Sequence, residues 1–264
     1  MKPQDLYTAG DLKAAIPAAL EAVKAQPADA GARGFLCELF AFAGEWERAD
    51  KQLDLLGHQD PKAAMGVGLF RHLLRADETR QQFYTDGRLP EFLGQPSEAL
   101  KLHLEASILL REGKTADAAK LLAEAEEKRP KVKGTHDGHV FDDFRDADDL
   151  TACFFEVLTS NGKYYWVPFE NVELLEMRPP VRPRDLLWAR AHMIVREGPD
   201  GEVYLPTIYA GSFREADDRL RLGRATDWRG GDGVPTRGVG LRTFLVGDEG
   251  KSILELKTAT FEKA

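Results

Sequence analysis

The chain has 264 residues, 43% of them apolar, which is enough for a sizeable core and favours two domains over one. Its formal net charge of −8 argues against a nucleic-acid-binding protein, because such proteins need a basic face to meet phosphates. Met1–Asp5 lacks the apolar core of a signal peptide, and no run approaches the roughly 18 apolar residues of a membrane-spanning helix. Cys37 and Cys153 lie among apolar neighbours, which predicts reduced, buried thiols in a cytoplasmic protein that does not enter a membrane.

The first half contains a repeat with a displacement of 34 residues, which is the tetratricopeptide period. Each copy has a glycine, then a small alanine, then a closing proline. The three copies are Gly10, Ala15 and Pro27; Gly44, Ala49 and Pro61; and Gly113, Ala118 and Pro130. The glycine ends a helix where a positive φ is needed, and the proline ends the second helix of the hairpin because it cannot continue one. Chance spacing of unrelated helical hairpins is the alternative.

Residues 64–97 lack this signal but contain apolar residues at helical spacing, followed by a loop around Gly87–Pro96. We therefore predict a tetratricopeptide-like domain over residues 1–133, with three hairpins, the first of them partial, and one degenerate unit. Such stacks are concave on the side of the first helix of each pair. Six residues are predicted on or near that surface as a groove for an amphipathic peptide or helix: Glu38, Phe42, His72, Arg75, His103 and Arg111. Solvated helix faces, or a groove covered by the second domain, are the alternatives.

After Lys133 the pattern changes. Residues 134–150 contain six aspartates and one arginine and are interpreted as an acidic linker. Residues 151–264 are predicted as a mainly β, α+β domain, with Asn161-Gly162 as its strongest hairpin signal. Strands are predicted over 151–158, 164–167, 172–177, 193–195, 203–209, 241–246 and 253–256, the first of them with a short helix as the alternative. The predicted fold class is thus α+β, a stack of helical hairpins followed by a β domain.

Between Lys163 and Lys251 there are twelve arginines and no lysine. Arginine suits buried or interfacial pairing because its planar fork meets a carboxylate with two parallel hydrogen bonds. These arginines favour either a surface for an acidic partner or internal pairing with nearby carboxylates, and the second interpretation carries more weight.

His136-Asp137-Gly138-His139, followed by Asp142-Asp143, is the one metal-like cluster in the sequence. Histidine and aspartate can ligate zinc, but no second ligand pair is evident and the flanking glycines indicate an exposed segment. A nucleophile elbow, a Walker loop and a dinucleotide fingerprint are all missing. We therefore predict a non-enzyme without metal or cofactor. A metal-dependent enzyme that uses His136, His139 and the aspartates is the alternative.

Six ordered motifs in the second half resemble the ImpE/TagJ (SciE-type) family, accessory proteins of bacterial type VI secretion. They are Phe144-Arg145-Asp146-Ala147-Asp148-Asp149; Gly162-x-Tyr164-x-Trp166-Val167-Pro168; Arg182-Pro183-Arg184-Asp185-Leu186-Leu187-Trp188; Leu205-Pro206-x-x-Tyr209; Leu222-Gly223-Arg224-x-Thr226-Asp227-Trp228; and Arg237-Gly238-x-Gly240-x-Arg242. Together with the repeat, the resemblance covers essentially the whole chain. Leu241 departs from it, since a glutamine is expected before the arginine.

The resemblance implies an adaptor that binds an N-terminal helix of the small contractile-sheath subunit. In some members, the adaptor also contacts the ring ATPase of the AAA+ class that disassembles the sheath. The resemblance carries over no catalytic residue to this chain. The motif residues that we treat as structural anchors bordering a binding surface are Arg184, Asp185, Trp188, Arg224, Asp227, Trp228 and Arg242. A general tetratricopeptide co-chaperone, which would bind C-terminal peptides, is a further alternative.

Overall fold

The structure is a computed structural model that describes residues 1–59 and 63–263. Helices occupy the first half of the chain. They are α1 (Pro3–Ala9), α2 (Leu12–Ala25), α3 (Ala30–Phe42), α4 (Trp46–Gln59), α5 (Ala64–Asp86), α6 (Glu98–Arg111) and α7 (Thr115–Lys128). Among the described residues, none of the helices combines the length and the apolarity that a membrane crossing requires.

Three hairpins, α1–α2, α3–α4 and α6–α7, turn at the glycines that the repeat singles out. Gly10, Gly44 and Gly113 have φ values of 87°, 71° and 75°, which confirms the predicted left-handed conformation. At the second hairpin the amide of Gly44 donates to the Ala41 carbonyl and that of Glu45 to the Phe40 carbonyl. These two bonds form a Schellman motif and satisfy carbonyls that the ending helix leaves open.

The single long helix α5 fills the place of the degenerate unit, and residues 87–97 after it are not helical, as predicted. Within that loop, Glu91 bridges to Tyr165 at the edge of the β half. Pro61, the closing proline of the second repeat, lies outside the described residues.

Strands occupy the second half, with one short helix, α8 (Asp218–Arg221). They are β1 (Gly134–His136), β2 (His139–Phe141), β3 (Phe144–Asp146), β4 (Phe154–Leu158), β5 (Tyr164–Pro168), β6 (Val172–Met177), β7 (Trp188–Val195), β8 (Asp200–Pro206), β9 (Thr226–Gly231), β10 (Val234–Gly240), β11 (Thr243–Val246), β12 (Glu249–Ser252) and β13 (Thr258–Phe261). The α+β class and the hairpin at Asn161-Gly162, between β4 and β5, are confirmed.

Two sequence interpretations of this half are wrong. The segment 134–150 is not a solvated linker, because it forms β1, β2 and β3, and Asp146 and Asp148 within it are buried. Asp146 and Asp148 pair with arginines of the β half, which composition alone does not reveal. Residues Ile253–Glu255 form a turn of 3₁₀ helix instead of the predicted strand, because Ser252 and Glu255 cap each other there.

Eight strands form one antiparallel sheet in the order β2-β1-β13-β6-β7-β8-β4-β5. A second sheet, β12-β11-β3, and a two-stranded ribbon, β9-β10, complete the β half. Successive side chains of β4 point to opposite faces of the large sheet. Phe154 and Leu158 belong to a core shared with the helices, whereas Phe155 and Val157 belong to a core among the strands. The helical half therefore packs directly on one face of the large sheet.

Gly44→Ala and Gly113→Ala separate backbone strain from packing. Both residues have positive φ, so alanine should cost about 1–2 kcal/mol of unfolding free energy at either position. A Cβ at Gly44 would also lie 2.3 Å from the Phe213 ring, whereas a Cβ at Gly113 meets nothing within 4 Å. We expect Gly44→Ala to be the more destabilising by at least about 1 kcal/mol in urea denaturation. Equal losses would contradict the packing of Phe213 on this turn.

Candidate functional site

Glu156 is the centre of a buried polar network between the two halves. It lies on β4 with 1% of its surface exposed. Arg80 Nε and the Tyr84 hydroxyl, both from α5, donate to its carboxylate at 2.9 Å each. Tyr164 and Arg242 donate to it from the β half. One carboxylate thus binds side chains from both halves of the chain.

The two arginines of the network have further partners. Arg80 Nη1 lies 3.2 Å from Asp77 Oδ1, and Arg80 Nη2 donates to the Ile208 carbonyl at 2.9 Å. Arg242 Nη1 lies 3.3 Å from Asp146 Oδ2. Because each guanidinium meets more than one acceptor, removing one carboxylate leaves a buried charge only partly compensated.

Asp146 and Asp148, from the segment interpreted as a linker, extend the network. The Tyr209 hydroxyl donates to Asp146 at 2.7 Å. Asp148 accepts from Arg237 Nε and from the Gly238 amide, each at 2.9 Å. Asp146 and Asp148 therefore bind the later segments of the β half to the segment 134–150 instead of facing solvent.

The pKa values of the buried carboxyls differ because their partners differ. Burial raises the pKa of Glu156, but Arg80 and Arg242 outweigh it and hold that pKa at about 2. For Asp77 and Asp146, burial outweighs the neighbouring arginines and raises the pKa. Glu156 is thus the carboxylate whose ionised form the network stabilises most.

The predicted groove is filled by the protein itself. Three of its predicted residues are buried, which makes their interpretation as open groove residues wrong: Glu38, Phe42 and His103. The ring of His103 packs edge-on against Phe154 of the large sheet, with 5.8 Å between ring centroids. Glu38 lies beside Arg184, and burial raises the pKa of its carboxyl to about 7. The β half therefore occupies the concave side of the helices.

The other three predicted groove residues lie nearer to the surface. His72 Nδ1 is 2.8 Å from the Ser160 carbonyl oxygen of the β half. Arg111 Nη1 donates to the Phe83 carbonyl near the end of α5 at 3.0 Å. Arg75 is exposed to solvent.

Several family-motif residues hold the two halves together. The guanidinium of Arg184 lies 4.9 Å from the ring centroid of Phe70 on α5, and the Trp188 ring contacts the same phenylalanine at 5.7 Å. Arg224 donates to the carbonyls of Tyr7 and Thr8 at 2.6 and 2.8 Å, where it caps α1.

Three motif residues act locally or at the surface. Asp185 accepts from the amides of Val181 and Arg182 at 2.9 and 3.2 Å. Asp227 is exposed on β9, and its Oδ1 accepts from the Trp228 amide at 2.9 Å. Trp228 is 40% exposed, and its ring lies edge-on to Tyr209 at 5.9 Å.

His136 and His139 face each other across the β1–β2 hairpin. His136 Nε2 lies 3.2 Å from the Glu255 carbonyl, and Asp137 Oδ2 lies 3.4 Å from Lys257 Nζ. Across residues 1–59 and 63–263, no group of three or more histidine, cysteine, aspartate or glutamate side chains is arranged to hold a metal ion. The alternative of a metal-dependent enzyme therefore gains no support.

The sequence interpretation missed Asp77, Arg80, Tyr84 and Glu156. A signal for them exists in the sequence. The three α5 residues continue the helical spacing of the apolar stripe that contains Phe70, so they are polar residues at core positions. Glu156 likewise stands between Phe154 and Leu158 on the face of β4 that meets the helices.

Two cavities bear on ligand binding, one beside this junction and one away from it. The apolar trough, about 330 Å³, lies on the face of the large sheet turned away from the helices and is lined mainly by Leu93, Val157, Tyr165, Val167, Met193 and Val203. The arginine pocket, about 240 Å³, lies between α5, α6 and the loop after β8 and includes Arg111, Arg214 and Arg237.

The fold and the network together define a protein whose helical-repeat face is packed on an antiparallel β half. Residues 138–260 match the family described as ImpE protein, and residues 6–66 match the tetratricopeptide repeat. The type VI secretion system accessory component TagJ of Pseudomonas aeruginosa is 33% identical over 262 residues, which cover 99% of this chain and 92% of that protein. The X-ray structure of protein VPA1032 from Vibrio parahaemolyticus has a TM-score of 0.92 and 27% identity, and the match covers 99% of this chain and 98% of that one. The chain belongs to the ImpE family.

Glu156→Gln should be strongly destabilising. It keeps the size of the side chain but leaves Arg80 and Arg242 without their shared charge, so we expect a loss of about 3–5 kcal/mol of unfolding free energy. Glu202→Gln is the matched control, because Glu202 pairs with Arg190 at the surface and should cost less than about 1 kcal/mol. Chemical denaturation of both variants at pH 7 measures the difference. Similar small losses would show that the network contributes little to stability.

His103 should make stability depend on pH. Burial lowers the pKa of its imidazole from 6.5 to about 4, so the unfolded chain binds the proton first. Stability from this residue is therefore full above pH 6.5 and falls as the pH drops towards 4, by up to about 3 kcal/mol. Asp146 and Glu38 have raised pKa values and act in the opposite direction.

The difference in unfolding free energy between the wild type and His103→Leu isolates the imidazole from those carboxyls. Between pH 6.5 and pH 4.5 the wild type should lose about 2 kcal/mol more than the variant in denaturant titrations. Parallel pH profiles would mean that the imidazole is not held neutral in the folded protein.

Proposed function

We propose that the chain is a non-enzymatic, cytoplasmic accessory component of a bacterial type VI secretion system. In this role it acts as an adaptor that binds the N-terminal helix of the small contractile-sheath subunit. The observation that carries the proposal is the 33% identity to the accessory component TagJ across 99% of the chain. The sheath subunit as partner comes from the family resemblance of the motifs. Two pairs of charged motif residues, Arg237 with Asp148 and Arg242 with Asp146, are ion pairs within the chain, which supports an architectural role for them.

The apolar trough is the place where we propose that the helix binds. Its walls are apolar side chains of β4, β5, β7 and β8, and Leu93 stands exposed at its border. An amphipathic helix binds by laying its apolar face into a groove of this kind. The concave face of the repeat supports this role less well, because Phe42 and His103 are already buried in the core shared by the two halves.

Contact with the AAA+ ATPase that disassembles the sheath is a separate part of the proposal and rests on the resemblance alone. Size-exclusion chromatography of the purified ATPase with the preformed adaptor–peptide complex tests it. Co-elution would support the contact with the ATPase. Separate elution would refute that contact without bearing on the proposal that the chain binds the peptide.

The sheath-subunit peptide should bind with a dissociation constant of about 1 μM or tighter in titration calorimetry. Val203→Glu places a charge in the apolar trough and should weaken binding at least about tenfold. Val140→Glu is the matched control, because Val140 is 82% exposed on β2 at the opposite edge of the sheet, and its affinity should stay unchanged.

Absence of heat together with no displacement in a competition assay would reject the adaptor proposal. Binding of C-terminal but not N-terminal peptides would favour the co-chaperone alternative. If the two valine variants bound the peptide with equal affinity, the apolar trough would be excluded as the binding site of the helix, but the adaptor role would stand.

A further inference from the structure

The arginine pocket has two guanidinium groups without an acidic partner. Arg237 is paired with Asp148. Within residues 1–59 and 63–263, no carboxylate oxygen lies within 4.0 Å of a guanidinium nitrogen of Arg111 or Arg214, whereas the buried arginines of the network pair with carboxylates. On a chain with a formal net charge of −8, this is a local site of positive charge.

Arg111 is held in place by groups that leave most of its donors free. Its Nη1 donates to the Phe83 carbonyl at 3.0 Å and lies 3.2 Å from Ser107 Oγ. The guanidinium packs over Gly87, where a Cβ would lie 2.9 Å from Nη2, so the glycine leaves room for it. A guanidinium has five N–H donors, so the remaining ones are available to a ligand.

Arg214 lines the same pocket from the other side. Its guanidinium lies 4.9 Å from the ring centroid of Phe213, and that ring contacts Trp46 edge-on at 5.0 Å. The exposed arginine is therefore attached to a side chain that packs on the α3–α4 hairpin. Hydrogen bonds to Phe83 and Ser107 position Arg111 before a ligand arrives, which lowers the entropy cost of binding, whereas exposed Arg214 is held by its ring contact alone.

We propose that the arginine pocket is a second binding site, separate from the apolar trough, that takes a carboxylate side chain of a protein partner. The planar fork of arginine pairs with a carboxylate through two parallel hydrogen bonds. The pocket volume of about 240 Å³ leaves room for an aspartate or glutamate side chain, and Leu110 and Leu150 supply apolar surface for its short methylene stem.

Side-chain NMR can test this with two small probes, N-acetyl-aspartate amide and its neutral counterpart N-acetyl-asparagine amide. The aspartate probe should produce saturable shifts of the Nε–H signals of Arg111 and Arg214 and of the Gly211 amide, and the shifts should weaken as salt rises. The asparagine probe should produce none. Absence of a response to the aspartate probe, or an equal response to both probes, would overturn the proposal.

Arg214→Met should weaken binding of the aspartate probe at least about fivefold. Because Arg214 is exposed, the variant should fold normally. Arg111→Lys keeps a cation but removes the fork and should also weaken the probe. Arg219→Met is the matched control: Arg219 is an exposed arginine paired with Asp217 outside the pocket, and binding should be unchanged. Unchanged probe affinity in both pocket variants would also overturn the proposal.

Inorganic phosphate, titrated at matched ionic strength, is the third probe. Phosphate that binds while the aspartate probe does not would assign a phosphate site and refute the carboxylate. Titration of the sheath-subunit peptide into Arg214→Met runs in parallel and should show wild-type affinity, because the apolar trough lies on the other face of the sheet. Failure of the arginine pocket and failure of the adaptor role are thereby distinguished.

Discussion

The fold depends on one carboxylate that neutralises two buried arginines from different parts of the chain. Glu156 approaches Arg80 from the helical half and Arg242 from the β half, and two tyrosine hydroxyls complete its hydrogen bonds. Removing these ions from water is costly, so such a network stabilises the fold only when its charges are paired. Glu156 meets Arg80 only when α5 is correctly packed on the large sheet. The network therefore ties the position of the helices to that of the strands.

This docking changes what the helical repeat can do. A tetratricopeptide-like stack usually offers its concave side to a ligand, but here Phe154, Trp166 and Trp188 of the β half share one core with the helices. The stack thus binds an element of its own chain by the mode that repeats use for partners. The rim of that interface, at the arginine pocket, and the opposite face of the sheet, at the apolar trough, remain accessible.

The sequence revealed the local parts of this architecture and missed the long-range ones. The glycine turns of the hairpins and the Asn161-Gly162 turn depend on residues close in sequence, so their spacing was sufficient to predict them. Arg80 and Glu156 are 76 residues apart, and pattern reasoning gives no distance between them. The same reason hides the burial of Asp146 and Asp148, because their partners Arg242 and Arg237 lie far along the chain. Whether the concave groove of the helical repeat is open depends on how the β half packs on it, and the periodicity of the sequence carries no information about that packing.

The motif residues show why the resemblance was informative although no catalytic group came with it. Residues from four of the six motifs meet in or beside the network: Asp146, Asp148, Tyr164, Tyr209, Arg237 and Arg242. Arg237 joins two features, because it pairs with buried Asp148, lines the arginine pocket and lies 5.6 Å from the ring centroid of Tyr84. Tyr84 in turn donates to Glu156. The contacts that anchor the two halves therefore continue through Tyr84 and Arg237 to the arginine pocket.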